Sequence, residues 1–138
     1  MGSLSEHAVP AARPIDSALI VDDDSFSRAW LSELLTEFGV PHIHTVNNGR
    51  AGLKKLRELG QLPDVLICDI FMPDMDGIEF LDELARRQYK GKFMLISGHD
   101  MQTLTLAREI ADASLLNFVG AFVKPVSKET LAYALKLA

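Results

Sequence analysis

The sequence predicts an α/β domain built on a parallel sheet, and three observations carry that prediction. From Asp16 onward, five short apolar runs alternate with stretches of helical spacing, the sequence form of strand–helix repetition. Four of the five runs show no polar alternation, as strands covered by helices on both faces require. The chain has 138 residues, 48% of them apolar and 24% charged, which is globular usage for one buried core.

The first strand is expected at residues 18–21. The first helix follows from the spacing of Phe26, Trp30, Leu31, Leu34, Leu35 and Phe38, with Gly39 as its stop. The run at 42–46, with His42 and His44 two apart, reads as a half-exposed strand at a sheet edge. Leu53, Leu56 and Leu59 mark the second helix, which ends near Gly60, and residues 65–68 form the third strand. Asp76 followed three residues later by Glu79 is a capping box for a third helix carrying Ile78, Leu81, Leu84 and Ala85; residues 72–77 therefore form a loop. The fourth strand lies at 93–96 and the fifth at 119–123. Leu104, Ala107, Ile110 and Ala111 mark the fourth helix, and Leu131, Ala134 and Leu135 the fifth. Residues 1–16 read as a flexible tail before a domain over 17–138.

Composition excludes several function classes. The net charge is −5 and the sequence pI about 5.3, a poor match to phosphate backbones or anionic lipid, so direct nucleic-acid binding is not expected. The longest apolar stretches are four to five residues, far short of the roughly 20 that cross a bilayer. Residues 1–16 hold charges and two prolines without an apolar core, unlike a secretory signal. The lone Cys68 cannot form an internal disulfide and suits a reducing, cytoplasmic setting.

In a parallel sheet all strand C-termini share one edge, and the chemistry-bearing residues gather there. The first strand ends in Asp22-Asp23-Asp24, the third at Asp69, the fourth at Ser97 and the fifth at Lys124. Open α/β sheets bind ligands beyond those ends, where strand order reverses. Neighbouring strands lie about 4.8 Å apart, so with order 2-1-3-4-5 Asp22, Asp23 and Asp69 would crowd their charges together. A hard divalent cation relieves such crowding, and carboxylates with a backbone carbonyl and water suit octahedral Mg2+. The Lys124 ammonium would neutralise the remainder or hold a phosphoryl oxygen.

Four motifs together, Leu19-Ile20-Val21-Asp22-Asp23-Asp24-Ser25 with Arg28, Pro63-Asp64 through Asp69-Ile70-Phe71-Met72-Pro73-Asp74-Met75-Asp76-Gly77, Ile96-Ser97-Gly98 and Phe122-Val123-Lys124-Pro125, resemble the receiver domain of two-component response regulators. That resemblance implies a flavodoxin-like, three-layer α/β/α fold with strand order 2-1-3-4-5. It implies a phosphorylation switch in which Asp69 accepts a phosphoryl group from a histidine kinase or phosphotransfer protein. Mg2+ would be held by Asp22, Asp23, Asp69 and the backbone carbonyl of Phe71. Ser97 and Lys124 would hold phosphoryl oxygens, the Lys124–Pro125 peptide would be cis, and the module would signal to an output domain or protein. The family also implies homodimerisation through the fourth and fifth helices, and a regulatory domain with no turnover chemistry beyond its own phosphorylation and dephosphorylation.

Some residues depart from the pattern. Ala121 stands where receivers carry an aromatic switch residue, and Phe122, one position on, should face the other side of the sheet. The long stretch from Ser97 to Lys124, with Leu116-Asn117-Phe118-Val119-Gly120, resembles receivers fused to cyclic-dinucleotide phosphodiesterases. Phe71 and His99 flank the expected approach of a hydrolytic water, and a bulky Phe71 should screen it. Other readings are a D-x-D aspartate phosphatase on Asp22-Asp23-Asp24 and a receiver-like module that works without phosphorylation. His42 and His44 could begin a metal site, yet the sequence offers no third ligand, and an exposed edge explains them. Arg86, Arg87, Lys90 and Lys92 form the basic cluster, read as complementing the third helix's dipole; Met72 and Met75 are read as local packing.

Overall fold

The computed structural model describes residues 14–98 and 101–136. Among them lie five strands, β1 (Ser17–Val21), β2 (His42–Val46), β3 (Val65–Asp69), β4 (Lys92–Ser97) and β5 (Asn117–Val123). Five helices alternate with them: α1 (Ser25–Glu37), α2 (Gly49–Glu58), α3 (Gly77–Arg86), α4 (Met101–Asp112) and α5 (Lys128–Leu135). All strand pairs are parallel and the order is β2-β1-β3-β4-β5.

Two apolar layers sandwich the sheet, because successive strand residues point to opposite faces. Leu19, Val21, Leu66, Cys68, Phe93 and Leu95 pack with α2, α3 and α4 through Leu53, Leu56, Phe80, Leu84, Leu104 and Ala107. Ala18, Ile20, Val65, Ile67, Met94 and Ile96 pack with α1 and α5 through Leu31, Leu34, Leu35, Leu131 and Leu135. The central strand β3 is buried throughout, whereas β2 at the edge has only exposed and half-buried positions.

Several expectations shift. Strand β5 starts two residues earlier than the apolar run suggests, since a register break between Phe93 and Met94 leaves Val119 unpaired as a bulge. Phe26, on the expected core stripe of α1, is 74% exposed, whereas Ser27 beside it in the first turn is buried. Ile110 also lies at the surface, beside the buried Ala107 and Ala111. Within the expected tail, Ile15 is buried and the Asp16 N–H donates to Asp64 Oδ2 at 2.8 Å; residues 1–13 fall outside the described residues. No helix among the described residues is long and apolar enough to cross a membrane.

Candidate functional site

The parallel topology brings four strand ends to one edge, and each delivers a polar group. Asp22 follows β1 and is fully buried, Asp69 closes β3 with 4% exposure, Ser97 closes β4 fully buried, and Lys124 follows β5. Asp23, next to Asp22, is exposed. One carboxylate oxygen from each of Asp22, Asp23 and Asp69 lies within 4.8 Å of the others.

Lys124 spans the gap that two strand spacings open. Its Nζ stands 3.0 Å from Asp69 Oδ2 and 3.1 and 2.9 Å from Asp22 Oδ1 and Oδ2. The contact with Asp22 Oδ2 is an ion pair off the hydrogen-bonding directions, and that buried oxygen has no hydrogen-bond partner. A buried anionic oxygen without a donor is costly. Three hard oxygen donors converging beside it fit a small divalent cation.

Local sequence fixes each group. The Asp24 N–H donates to Asp22 Oδ1 at 2.9 Å, while Asp24 Oδ1 caps α1 by accepting from the Phe26 N–H at 3.0 Å. Arg28, one turn into α1, donates from Nη1 to the Asp22 carbonyl at 2.7 Å. The Phe71 N–H donates to Asp69 Oδ1 at 3.3 Å, and the Lys124 N–H to the Ser97 carbonyl at 2.8 Å. The Lys124–Pro125 peptide is cis.

A cleft of about 450 Å³ opens over these groups, lined by Asp23, Asp24, Asp69, Phe71, Met72, Asp76, Gly98 and Lys124. Ser97 sits at the same edge but beneath the cleft wall, which its neighbour Gly98 forms. Burial and the charge of Asp22 push the Asp69 carboxyl up to about 6, against the opposing pull of Lys124 and the Phe71 N–H. Burial also opposes the Lys124 ammonium, but its hydrogen bond to Asp22 and the charge of Asp69 outweigh that and raise it above its ordinary range. The thiol of Cys68, buried and beside Asp69 and Asp22, is raised well above the usual range, which removes it as a nucleophile.

The remaining sequence readings divide. Ala121 is buried on the α2/α3/α4 face and Phe122 packs on the opposite one, as the period of two requires. Carbonyl Ala121 instead accepts from Arg108 Nη2 of α4 at 2.8 Å. His42 and His44 gather no third metal ligand among the described residues, and His99 lies outside them. Met75 packs against the core cluster, as does Met72. Two contacts had no signal in the sequence: the Asp74 carboxylate, which accepts from the N–H groups of Gly49 and Arg50 at 3.1 and 2.9 Å, and Trp30 Nε1, which donates to the Val126 carbonyl at 2.8 Å.

Comparison with known proteins agrees with this geometry. The model of the response regulator receiver domain matches residues 18–136. Chemotaxis protein CheY of Thermotoga maritima is 32% identical over 117 residues, covering 85% of this chain and 92% of that protein. The positive alginate biosynthesis regulatory protein of Pseudomonas aeruginosa is 32% identical over 124 residues, and there the chain spans only 46% of the relative. Among solved structures, a two-component response regulator from Cytophaga hutchinsonii superposes with a TM-score of 0.75 at 25% identity, covering 90% of this chain and 96% of that one. Vibrio cholerae chemotaxis protein CheY4 gives 0.70 at 26% identity, over 88% and 97%. With the acidic edge and all of the sheet but Ser17 inside the matched span, this chain belongs to the response regulator receiver domain family, the phosphoacceptor signalling modules of two-component systems.

Proposed function

We propose that Asp69 is the phosphoacceptor of this receiver, and that the observation carrying the assignment is the single ammonium of Lys124 held 3.0 Å from its carboxylate. A carboxylate oxygen of Asp69 attacks the phosphorus of a phosphohistidine in line. The O–P bond forms as the P–N bond breaks, and the imidazole leaves with the electron pair and is protonated. Lys124 neutralises the anion and takes one phosphoryl oxygen; Ser97 takes another. Asp22, Asp23, Asp69 and the Phe71 carbonyl would hold Mg2+, which when bound would supply positive charge against the acidic side chains and the incoming phosphoryl group.

The donor is a histidine kinase or phosphotransfer protein. The reader is an output domain or protein, a cyclic-dinucleotide phosphodiesterase among the classes the stretch before Lys124 suggests. The setting is cytoplasmic, and the fourth and fifth helices are the homodimer face. The protein acts as a stoichiometric switch. The D-x-D phosphatase reading is the weaker one, since Asp24 Oδ1 caps α1 by accepting from the Phe26 N–H.

Intact mass after incubation with acetyl phosphate tests the assignment. One phosphoryl group per chain should appear with Mg2+, disappear with chelator, and be absent from Asp69→Asn. Labelling that survives Asp69→Asn refutes Asp69 as acceptor, and an unlabelled parent favours a module that signals without phosphorylation.

A further inference from the structure

The cleft over Asp69 has two carboxylates on its wall besides those that would hold the cation. Asp24 and Asp76 line it together with Asp23, Asp69 and Lys124, and both are exposed. Each caps a helix. Asp24 Oδ1 accepts from the Phe26 N–H at 3.0 Å at the start of α1, and Asp76 Oδ1 from the Glu79 N–H at 2.8 Å at the start of α3. Backbone bonds join both helix starts to the acidic edge: the Asp24 N–H donates to Asp22 Oδ1 at 2.9 Å, and the Gly77 N–H to the Ile70 carbonyl at 2.7 Å. A Cβ at Gly77 would stand 3.0 Å from the Asp69 carbonyl oxygen, so the start of α3 lies directly against the backbone of the acceptor.

Capping by itself does not call for charge. Asn caps a helix about as well as Asp, since the bond needs only an acceptor oxygen. What Asp adds at both places is a negative charge on the cleft wall. The carboxylates of Asp22, Asp23 and Asp69 are matched by the Lys124 ammonium and a divalent cation together. Each helix N-terminus offsets roughly half a unit charge, so among the described residues the two caps leave the wall negative by about one charge. The cleft holds about 450 Å³. Its width is therefore of the order of the ~8 Å over which physiological salt screens a charge, and a donor inside it feels that wall.

Phosphoryl donors differ in the charge they bring and release. In every case an Asp69 oxygen forms the new O–P bond. With an acyl phosphate the P–O bond breaks, and the electron pair departs on a carboxylate anion. With an N-phosphoryl donor the P–N bond breaks, the pair goes to a nitrogen that already carries its proton, and a neutral amine or imidazole departs. The acyl donor thus brings an additional negative charge into the cleft. We propose that Asp24 and Asp76 are specificity-determining residues of the acceptor, their charges disfavouring acyl phosphates and favouring N-phosphoryl donors with a neutral leaving group. The inference rests on the assignment of Asp69 as phosphoacceptor. Acetyl phosphate remains a donor, but a slow one, and the switch is insulated from the acyl phosphates of metabolism while phosphohistidine keeps its access.

The test takes the ratio of two initial labelling rates, with acetyl phosphate and with phosphoramidate, by intact mass at saturating Mg2+ and donor well below saturation. It compares the parent with Asp24→Asn, Asp76→Asn, the double variant and Asp112→Asn, an exposed carboxylate at the end of α4 that does not line the cleft. Each single cleft variant should shift the ratio toward acetyl phosphate by about threefold and the double variant by about tenfold. Asp112→Asn should leave it unchanged. In about 1 M salt, where the screening length is ~3 Å, the double variant should come within about twofold of the parent. An unchanged ratio in the double variant, or an equal shift in Asp112→Asn, overturns the proposal. Both donors act on the same protein, so altered stability or cation affinity moves the two rates together and leaves the ratio readable. A parent that neither donor labels overturns the acceptor assignment instead.

Discussion

Asp69 is held at about 6 by burial and by Asp22, above the value a carboxylate has in an unfolded chain. Between those two values the unfolded state releases its proton first, so rising pH favours unfolding. In metal-free protein the contribution of Asp69 is thus most favourable at acidic pH and is lost as pH rises through the ordinary carboxylate range to about 6. Asp69→Asn should gain stability relative to the parent between pH 4 and pH 7, by roughly 1–2 kcal/mol, in urea melts at the two pH values; a constant difference would contradict the placement of the charge. Lys124 has the same sign of dependence in a different pH window: its value is raised, so the stability it adds is present at neutral pH and is lost as pH rises through the alkaline range. Phe71 makes a separate prediction. It is 38% exposed and lines the cleft beside Asp69, and a bulky ring lining that cleft should screen the carboxylate from a hydrolytic water. Phe71→Asn should shorten the lifetime of the phosphorylated state several-fold, about 1 kcal/mol of barrier, measured as loss of label after donor removal; unchanged or slower decay would refute the screening role.

Among the elements, β5 has a position that tolerates glycine and resists a side chain. Gly120 has φ +149° beside the bulge at Val119, and a Cβ there would meet the Phe122 ring at 2.5 Å. Gly120→Ala should cost at least about 2 kcal/mol in a urea melt; a neutral substitution would mean the ring moves freely. The same strand explains how α4 can stay coupled without an aromatic at 121. Strand β5 lies at the edge of the sheet, and the Arg108 guanidinium covers its Ala121 carbonyl, three residues before Lys124. Arg108→Ala should cost about 1 kcal/mol and speed hydrogen exchange along β5, as an uncapped edge would.

At the scale of the molecule, the acidic edge is where stability and function meet. Three carboxylates converge there; two of them, Asp22 and Asp69, share the Lys124 ammonium, and Asp22 Oδ2 has no hydrogen-bond donor. A ligand that binds only the folded state stabilises it by mass action, so Mg2+ at about a hundred times its dissociation constant should raise stability by about 2.7 kcal/mol. Thermal melts in Mg2+ and in chelator check this, with Asp23→Asn reducing the gain. The alternation of β and α, the edge position of β2 and the gathering of Asp22, Asp69, Ser97 and Lys124 at one edge were legible in the residues, because strand period and parallel connection dictate them. The strand order came through the motif resemblance, since alternation alone is compatible with several orders. The bulge at Val119, the exposure of Phe26, the Arg108 contact and the Asp74 bonds to α2 were not legible, because each joins positions whose distance depends on how packed helices sit against the sheet. The sequence by itself determined which groups reach the site, through local periodicity; tertiary packing alone decided what holds them in place, because contacts between elements far apart in the chain have no local signature.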